Sequence, residues 1–121
     1  MGGKVLIVDD NAEDLEKMKS LVESAGHEVV TASDGASALD ALNEGGFDGI
    51  LIDIKMPTLS GYDLLRLMRE KVNGKIKLAY VSIVPKDEVD MDGIDGFIQK
   101  PFSDGEFLKK VNDCLEGNCE K

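Results

Sequence analysis

Along the whole chain, short apolar runs alternate with stretches in which apolar residues recur every three or four positions. Val5-Leu6-Ile7-Val8 is a wholly apolar run that ends at Asp9-Asp10. Asn11 then suits a helix N-cap, Leu15, Met18, Leu21 and Val22 recur at helical spacing, and Gly26 suits the stop. Glu28-Val29-Val30-Thr31-Ala32 is short and β-branched, which predicts a second strand. Ser33 or Asp34 caps a helix carrying Ala38, Leu39 and Leu42, which ends near Gly45-Gly46. Residues 49–53 predict a third strand; after a loop over 54–59, Ser60 caps a helix with Leu64, Leu65 and Met68, closed by Asn73-Gly74. Residues 76–81 and 95–99 predict the fourth and fifth strands. Ser103-Asp104-Gly105-Glu106 has the form of a capping box and opens a last helix lined by Phe107, Leu108, Val111 and Leu115.

This strict alternation predicts an α/β fold built of β–α repeats around a parallel sheet. The runs at 5–8 and 50–52 are apolar on both faces, as central strands covered by helices on both sides must be. One stretch breaks the pattern. Residues 84–93 should hold the fourth helix, yet they offer only Val84, Val89 and Met91 as apolar anchors, and Pro85 and Gly93 bound the stretch tightly. Two helical turns at most, or a loop, are expected there.

The polar residues matter for where they interrupt these runs. Asp9-Asp10 ends the first strand, Asp53 the third, Ser82 the fourth, and Lys100-Pro101 the fifth. In an open parallel sheet all of them gather at one edge, outside the carboxyl ends of the strands, where such sheets bind ligands. Three carboxylates, a hydroxyl and an ammonium together suit a divalent cation and a phosphoryl group. Taken singly, each has a plainer reading: Asp9-Asp10 as helix-opening acids, Asp53 as a turn residue, Ser82 as a cap, Lys100 as a solvated charge. Three carboxylates brought together without a cation would repel one another, a cost that the plainer readings leave unexplained.

Composition narrows the partners. The 121 residues and 42% hydrophobic content suit a single domain, with a core at about residues 4–116 and a frayed tail at 117–121. The formal charge of −10 argues against nucleic acid, for no Lys/Arg cluster is present to replace phosphate counterions. No apolar run approaches the roughly 20 residues that span a bilayer, so no membrane insertion is expected. Cys114 and Cys119 are too few and too local for a disulfide framework, and a reduced cytoplasm is the natural reading. His27, in a turn without a spaced partner ligand, reads as structural, and the acidic stretch 87–92 as a solvated face.

Asp9-Asp10, Asp53 followed by Met56-Pro57 and Gly61, Ser82, and Lys100-Pro101-Phe102 together resemble the signature of the response-regulator receiver domain of two-component signalling, in a single-domain, chemotaxis-regulator-like form. The resemblance covers the chain from Lys4 to about Leu115. It implies a five-stranded, doubly wound, flavodoxin-like sandwich of strand order 2-1-3-4-5, here with a shortened fourth helix. It further implies that Asp53 is the phosphoacceptor, that Lys100 and Ser82 contact the phosphoryl group, and that Asp9, Asp10, Asp53 and the backbone carbonyl of Lys55 hold Mg²⁺ or Mn²⁺. Ser82 and Phe97 would form the switch, and the Lys100-Pro101 bond would be cis. The implied partners are a histidine kinase or histidine phosphotransfer protein and a downstream effector protein, with the chain a monomer or a weak phosphorylation-dependent dimer. No effector domain is expected within the 121 residues.

The chain departs from the family pattern at three points. Ile83 follows Ser82 where a small residue is usual, Phe97 lacks a tyrosine's hydroxyl, and the interval from Ser82 to Lys100 is short. Three other functions compete. A flavodoxin would need a first loop able to cradle a phosphate, which Asp9-Asp10-Asn11 would repel. A haloacid-dehalogenase-like phosphatase would need an acid where Lys55 stands. A pseudo-receiver acting as a phosphorylation-independent binding module normally lacks one of the site residues, all of which are present here.

Overall fold

The structure, a computed structural model, describes residues 2–72 and 75–121; the helix stop expected at Asn73-Gly74 lies outside the described residues. Five strands, β1 (Lys4–Val8), β2 (Glu28–Ala32), β3 (Gly49–Ile52), β4 (Lys77–Ser82) and β5 (Gly96–Gln99), pair in parallel in the order β2-β1-β3-β4-β5. The helices are α1 (Ala12–Ser24), α2 (Gly35–Leu42), α3 (Gly61–Lys71) and α4 (Asp104–Leu115). The parallel α/β sheet expected from the alternation, and the flavodoxin-like doubly wound order that the resemblance implies, are therefore the ones observed.

Register explains the apolar strands. Val5, Ile7, Leu51, Ala79, Val81 and Ile98 face one core with Met18 and Val22 of α1 and Phe107 and Val111 of α4. Leu6, Val8, Ile50, Ile52, Leu78 and Tyr80 face a second core with Leu42 of α2 and Leu64 and Met68 of α3. β1 and β3 feed both cores, so neither can afford a polar residue until the chain leaves the sheet. Four expected helix caps form as hydrogen bonds: Asn11, Asp34, Ser60 and Ser103 each accept the backbone N–H three residues on.

Three features lie outside the regular β–α repeat. First, residues 84–93 hold a single 3-10 turn, Lys86–Glu88, between Pro85 and Gly93, within the two turns at most expected there. Its apolar anchors still dock: Val89 is buried and Val84 and Met91 pack at the margin of the second core. Second, residues 117–121 are not a frayed tail. Gly117 takes φ +90°, which ends α4 and turns the chain back towards β5. The Glu120 carbonyl then accepts the Phe97 N–H at 2.8 Å, and the Lys121 carbonyl accepts from the Lys86 ammonium. Third, the same reversal brings Cys119 back to Cys114, and the two form a disulfide instead of free thiols. The tail thus covers the outer edge of β5, where unpaired strand N–H and C=O groups would otherwise be exposed.

Candidate functional site

The carboxyl ends of β1, β3, β4 and β5 meet at one edge of the sheet. Backbone bonds carry the sheet one residue past the strands: the Asp9 N–H donates to Ala32 O, the Asp53 N–H to Val8 O and the Lys100 N–H to Ser82 O. Each functional side chain therefore leaves from a backbone fixed by the sheet. One oxygen from each of Asp9, Asp10 and Asp53 lies within 4.8 Å of the others. Asp9 and Asp53 are buried, while Asp10 is exposed.

The loop from β3 into α3 is shaped by Gly61. A Cβ there would stand 2.4 Å from the Asp53 carbonyl and 2.7 Å from Ile54 Cα, so only glycine lets α3 start this close to the strand end. The Gly61 N–H also donates to Ile54 O at 2.9 Å. Met56 and Pro57 lie in the loop that follows Asp53, with Met56 buried against the second core, and Gly61 opens α3. Lys55 lies in that loop with its side chain exposed.

The electrostatics of the site are uneven. Burial and the neighbouring Asp9 carboxylate push the Asp53 pKa up to about 7, with a further rise from Asp10 and a partial offset from Lys100. Asp9 is fully buried and doubly held: its Oδ1 accepts the Asn11 N–H at 2.9 Å and its Oδ2 the Lys100 ammonium at 2.6 Å. Burial disfavours the Lys100 ammonium, but its hydrogen bonds to the Asp9 and Asp14 carboxylates outweigh it and raise the pKa. The Lys100-Pro101 bond is cis, as expected. Lys100 reaches Asp9 and, at 2.9 Å, Asp14; among the described residues it is ion-paired with these two and not with Asp53.

Ser82 is fully buried at the end of β4, and its Oγ accepts the Val84 N–H at 3.1 Å; a hydroxyl that accepts in this way still carries a proton it can donate. Phe97 is packed inward in the second core. Ile83 is 61% exposed and flanks the depression beside Lys100, so its bulk lies at the rim of the site. His27 serves the fold: Nδ1 accepts the Gly3 N–H and Nε2 pairs with Asn112 Oδ1 at 2.7 Å, tying the N-terminus to α4. The one site residue that sequence reasoning missed is Asp14. Nothing in the sequence sets it apart, for Asp14 is one of several charged residues in the first turns of α1.

The three converging carboxylates are hard oxygen donors, and burial of Asp53 beside the Asp9 carboxylate makes its charge costly in a way that a cation would relieve; they fit Mg²⁺ or Mn²⁺. The family model of the response regulator receiver domain matches residues 5–112. The chain is a response regulator receiver domain. Over 110 residues the receiver is 34% identical to the nisin biosynthesis regulatory protein NisR of Lactococcus lactis, which covers 89% of the chain and 48% of NisR. It thus spans about half the length of the curated regulators it matches, the transcriptional regulatory protein CpxR of Escherichia coli among them. The receiver domain of the Francisella response regulator 1452 superposes with a TM-score of 0.84 at 30% identity, covering 96% of this chain and 98% of that one. The response regulator TrrA of Thermotoga maritima, in complex with Mg²⁺ and beryllofluoride, superposes with a TM-score of 0.82 at 26% identity, covering 92% of this receiver and 97% of TrrA.

Proposed function

We propose that this receiver is a phosphorylation-activated switch whose phosphoacceptor is Asp53. The observation that carries the reading is the convergence of Asp9, Asp10 and Asp53 at the sheet edge, with the Lys100 ammonium already inside the cluster. A carboxylate oxygen of Asp53 attacks the phosphorus of a phosphohistidine on a kinase or phosphotransfer protein. The P–N bond breaks, its electron pair returns to the imidazole, and an acyl phosphate remains on Asp53. Hydrolysis reverses the charge: water attacks phosphorus, the P–O bond to Asp53 breaks, and carboxylate and inorganic phosphate are released.

Asp9, Asp10, Asp53 and the Lys55 carbonyl would hold the divalent cation. That ion would neutralise phosphoryl oxygens and align the in-line attack. Lys100 supplies a point charge to one phosphoryl oxygen and the Ser82 hydroxyl donates to another. Donation draws Ser82 towards the phosphoryl group, and the inward Phe97 packs behind it. The surface formed by residues 84–93, β5 and α4 then changes its affinity for a downstream effector protein, provided that effector binds the two states unequally. Such a kinase-driven role places the domain in the cytoplasm.

Asp53→Asn should abolish phosphoryl incorporation from acetyl phosphate, read as an intact-mass adduct in the presence of Mg²⁺. Mg²⁺-dependent incorporation that survives in Asp53→Asn would remove Asp53 from the role and favour a phosphorylation-independent binding module.

A further inference from the structure

Lys100 is the residue that a phosphoryl group on Asp53 must recruit, and it is already engaged. Its side chain is 9% exposed and its Nζ sits 2.6 Å from Asp9 Oδ2 and 2.9 Å from Asp14 Oδ2. An ammonium has three protons to donate, so two are committed to carboxylates at rest. Asp14 is not one of the three converging carboxylates. It belongs to the first turn of α1, where the Asn11 side chain accepts its N–H at 2.9 Å and so sets its position. An acid in a first turn is ordinarily satisfied by the helix dipole and by water; this one is turned onto a nearly buried ammonium.

We propose that Asp14 is a positioning residue that tethers Lys100 at rest and competes with a phosphoryl group on Asp53 for that ammonium. The inference rests on the phosphoacceptor reading of Asp53. A phosphoryl group brings close to two negative charges beside Lys100, and Lys100 must loosen one existing contact to meet it. Asp9 is fully buried and held on its other oxygen by Asn11, so it stays. Asp14 is 43% exposed and borders an open depression of about 230 Å³ lined by Lys17, Ile83 and Phe102, where its carboxylate is rehydrated on release. The tether therefore sets a threshold: it keeps Lys100 aimed into the site at rest and lowers the affinity of the site for a phosphoryl group by the strength of the pair that must be given up.

The test is a titration of the Mg²⁺-saturated chain with beryllofluoride, followed by amide NMR, for the native chain and for Asp14→Asn, each alone and in a Lys100→Ala background. Asp14→Asn should tighten beryllofluoride binding by about three- to tenfold, the range expected for loss of one half-exposed charged contact. Asp14→Ala should do the same, and neither should change affinity once Lys100 is alanine. An unchanged or weakened affinity in Asp14→Asn overturns the inference, as does an equal effect in the Lys100→Ala background, which would mark Asp14 as a structural acid of α1. Failure of the native chain to bind beryllofluoride overturns the phosphoacceptor reading and the inference with it; binding by the native chain with no change in the variant overturns the inference alone.

Discussion

Asp53 is a carboxylate placed where charge is costly, and that cost gives a stability signature. Its pKa, raised to about 7 from an ordinary 3.8 by burial and by Asp9, means that the folded chain binds a proton which the unfolded chain has already lost between about pH 4 and 7. Folded-state proton binding in excess makes stability fall as pH rises through that window. Without divalent ions, native stability should drop by on the order of 1–2 kcal/mol between pH 5 and 8, and Asp53→Asn should lack that part of the drop. Urea midpoints at the two pH values in the presence of a chelator measure it, and identical slopes for the two proteins would contradict the electrostatic picture. At this scale the main site residues were legible because each interrupts an apolar run, and a polar residue at such a place needs a reason. Asp14 was not. It sits among Glu13, Glu16 and Lys17 in the first turns of α1, and only the fold shows that its carboxylate turns inward to Lys100.

Elements followed the same logic. Strand and helix boundaries were readable where a cap or a β-branched run marks them, as at Asn11, Ser60 and residues 28–32. Residues 84–93 were correctly expected to be deficient, for three apolar anchors in a stretch bounded by Pro85 and Gly93 cannot cover a helix face. The C-terminal tail was not legible, because its order comes from a turn at Gly117 and from contacts with β5, neither of which has a periodic signal. Here the Cys114–Cys119 link and the Glu120–Phe97 hydrogen bond act together. In a reducing compartment the disulfide opens, and the tail is then held chiefly by hydrogen bonds at the β5 edge. Cys119→Ser should accordingly raise the exchange rate of the Phe97 amide by about tenfold while leaving that of Ile7, in the centre of the sheet, unchanged. An unaltered Phe97 amide would show that the tail docks without its cross-link.

At the scale of the whole molecule, the fold is a device for bringing residues distant in sequence to one edge. Asp9 and Lys100 are 91 positions apart and 2.6 Å from each other because β1 and β5 end on the same side of a parallel sheet. The topology also fixes what lies behind the site: Ser82 ends β4, Phe97 lies on β5, and the reduced segment 84–93 and the docked tail flank the outer surface. A formal charge of −10 makes a cationic contact surface on a partner the favourable complement. The central claim is that charge arriving at Asp53 is transmitted to that outer surface. The most direct measurement is an amide NMR titration of the native chain with Mg²⁺ and then beryllofluoride. The account predicts saturable shifts at Asp10, Asp53, Ser82 and Lys100 that spread to Phe97 and to residues 84–93. Shifts confined to the Mg²⁺ step, with no response to beryllofluoride, would contradict it and leave a domain that binds partners without being switched.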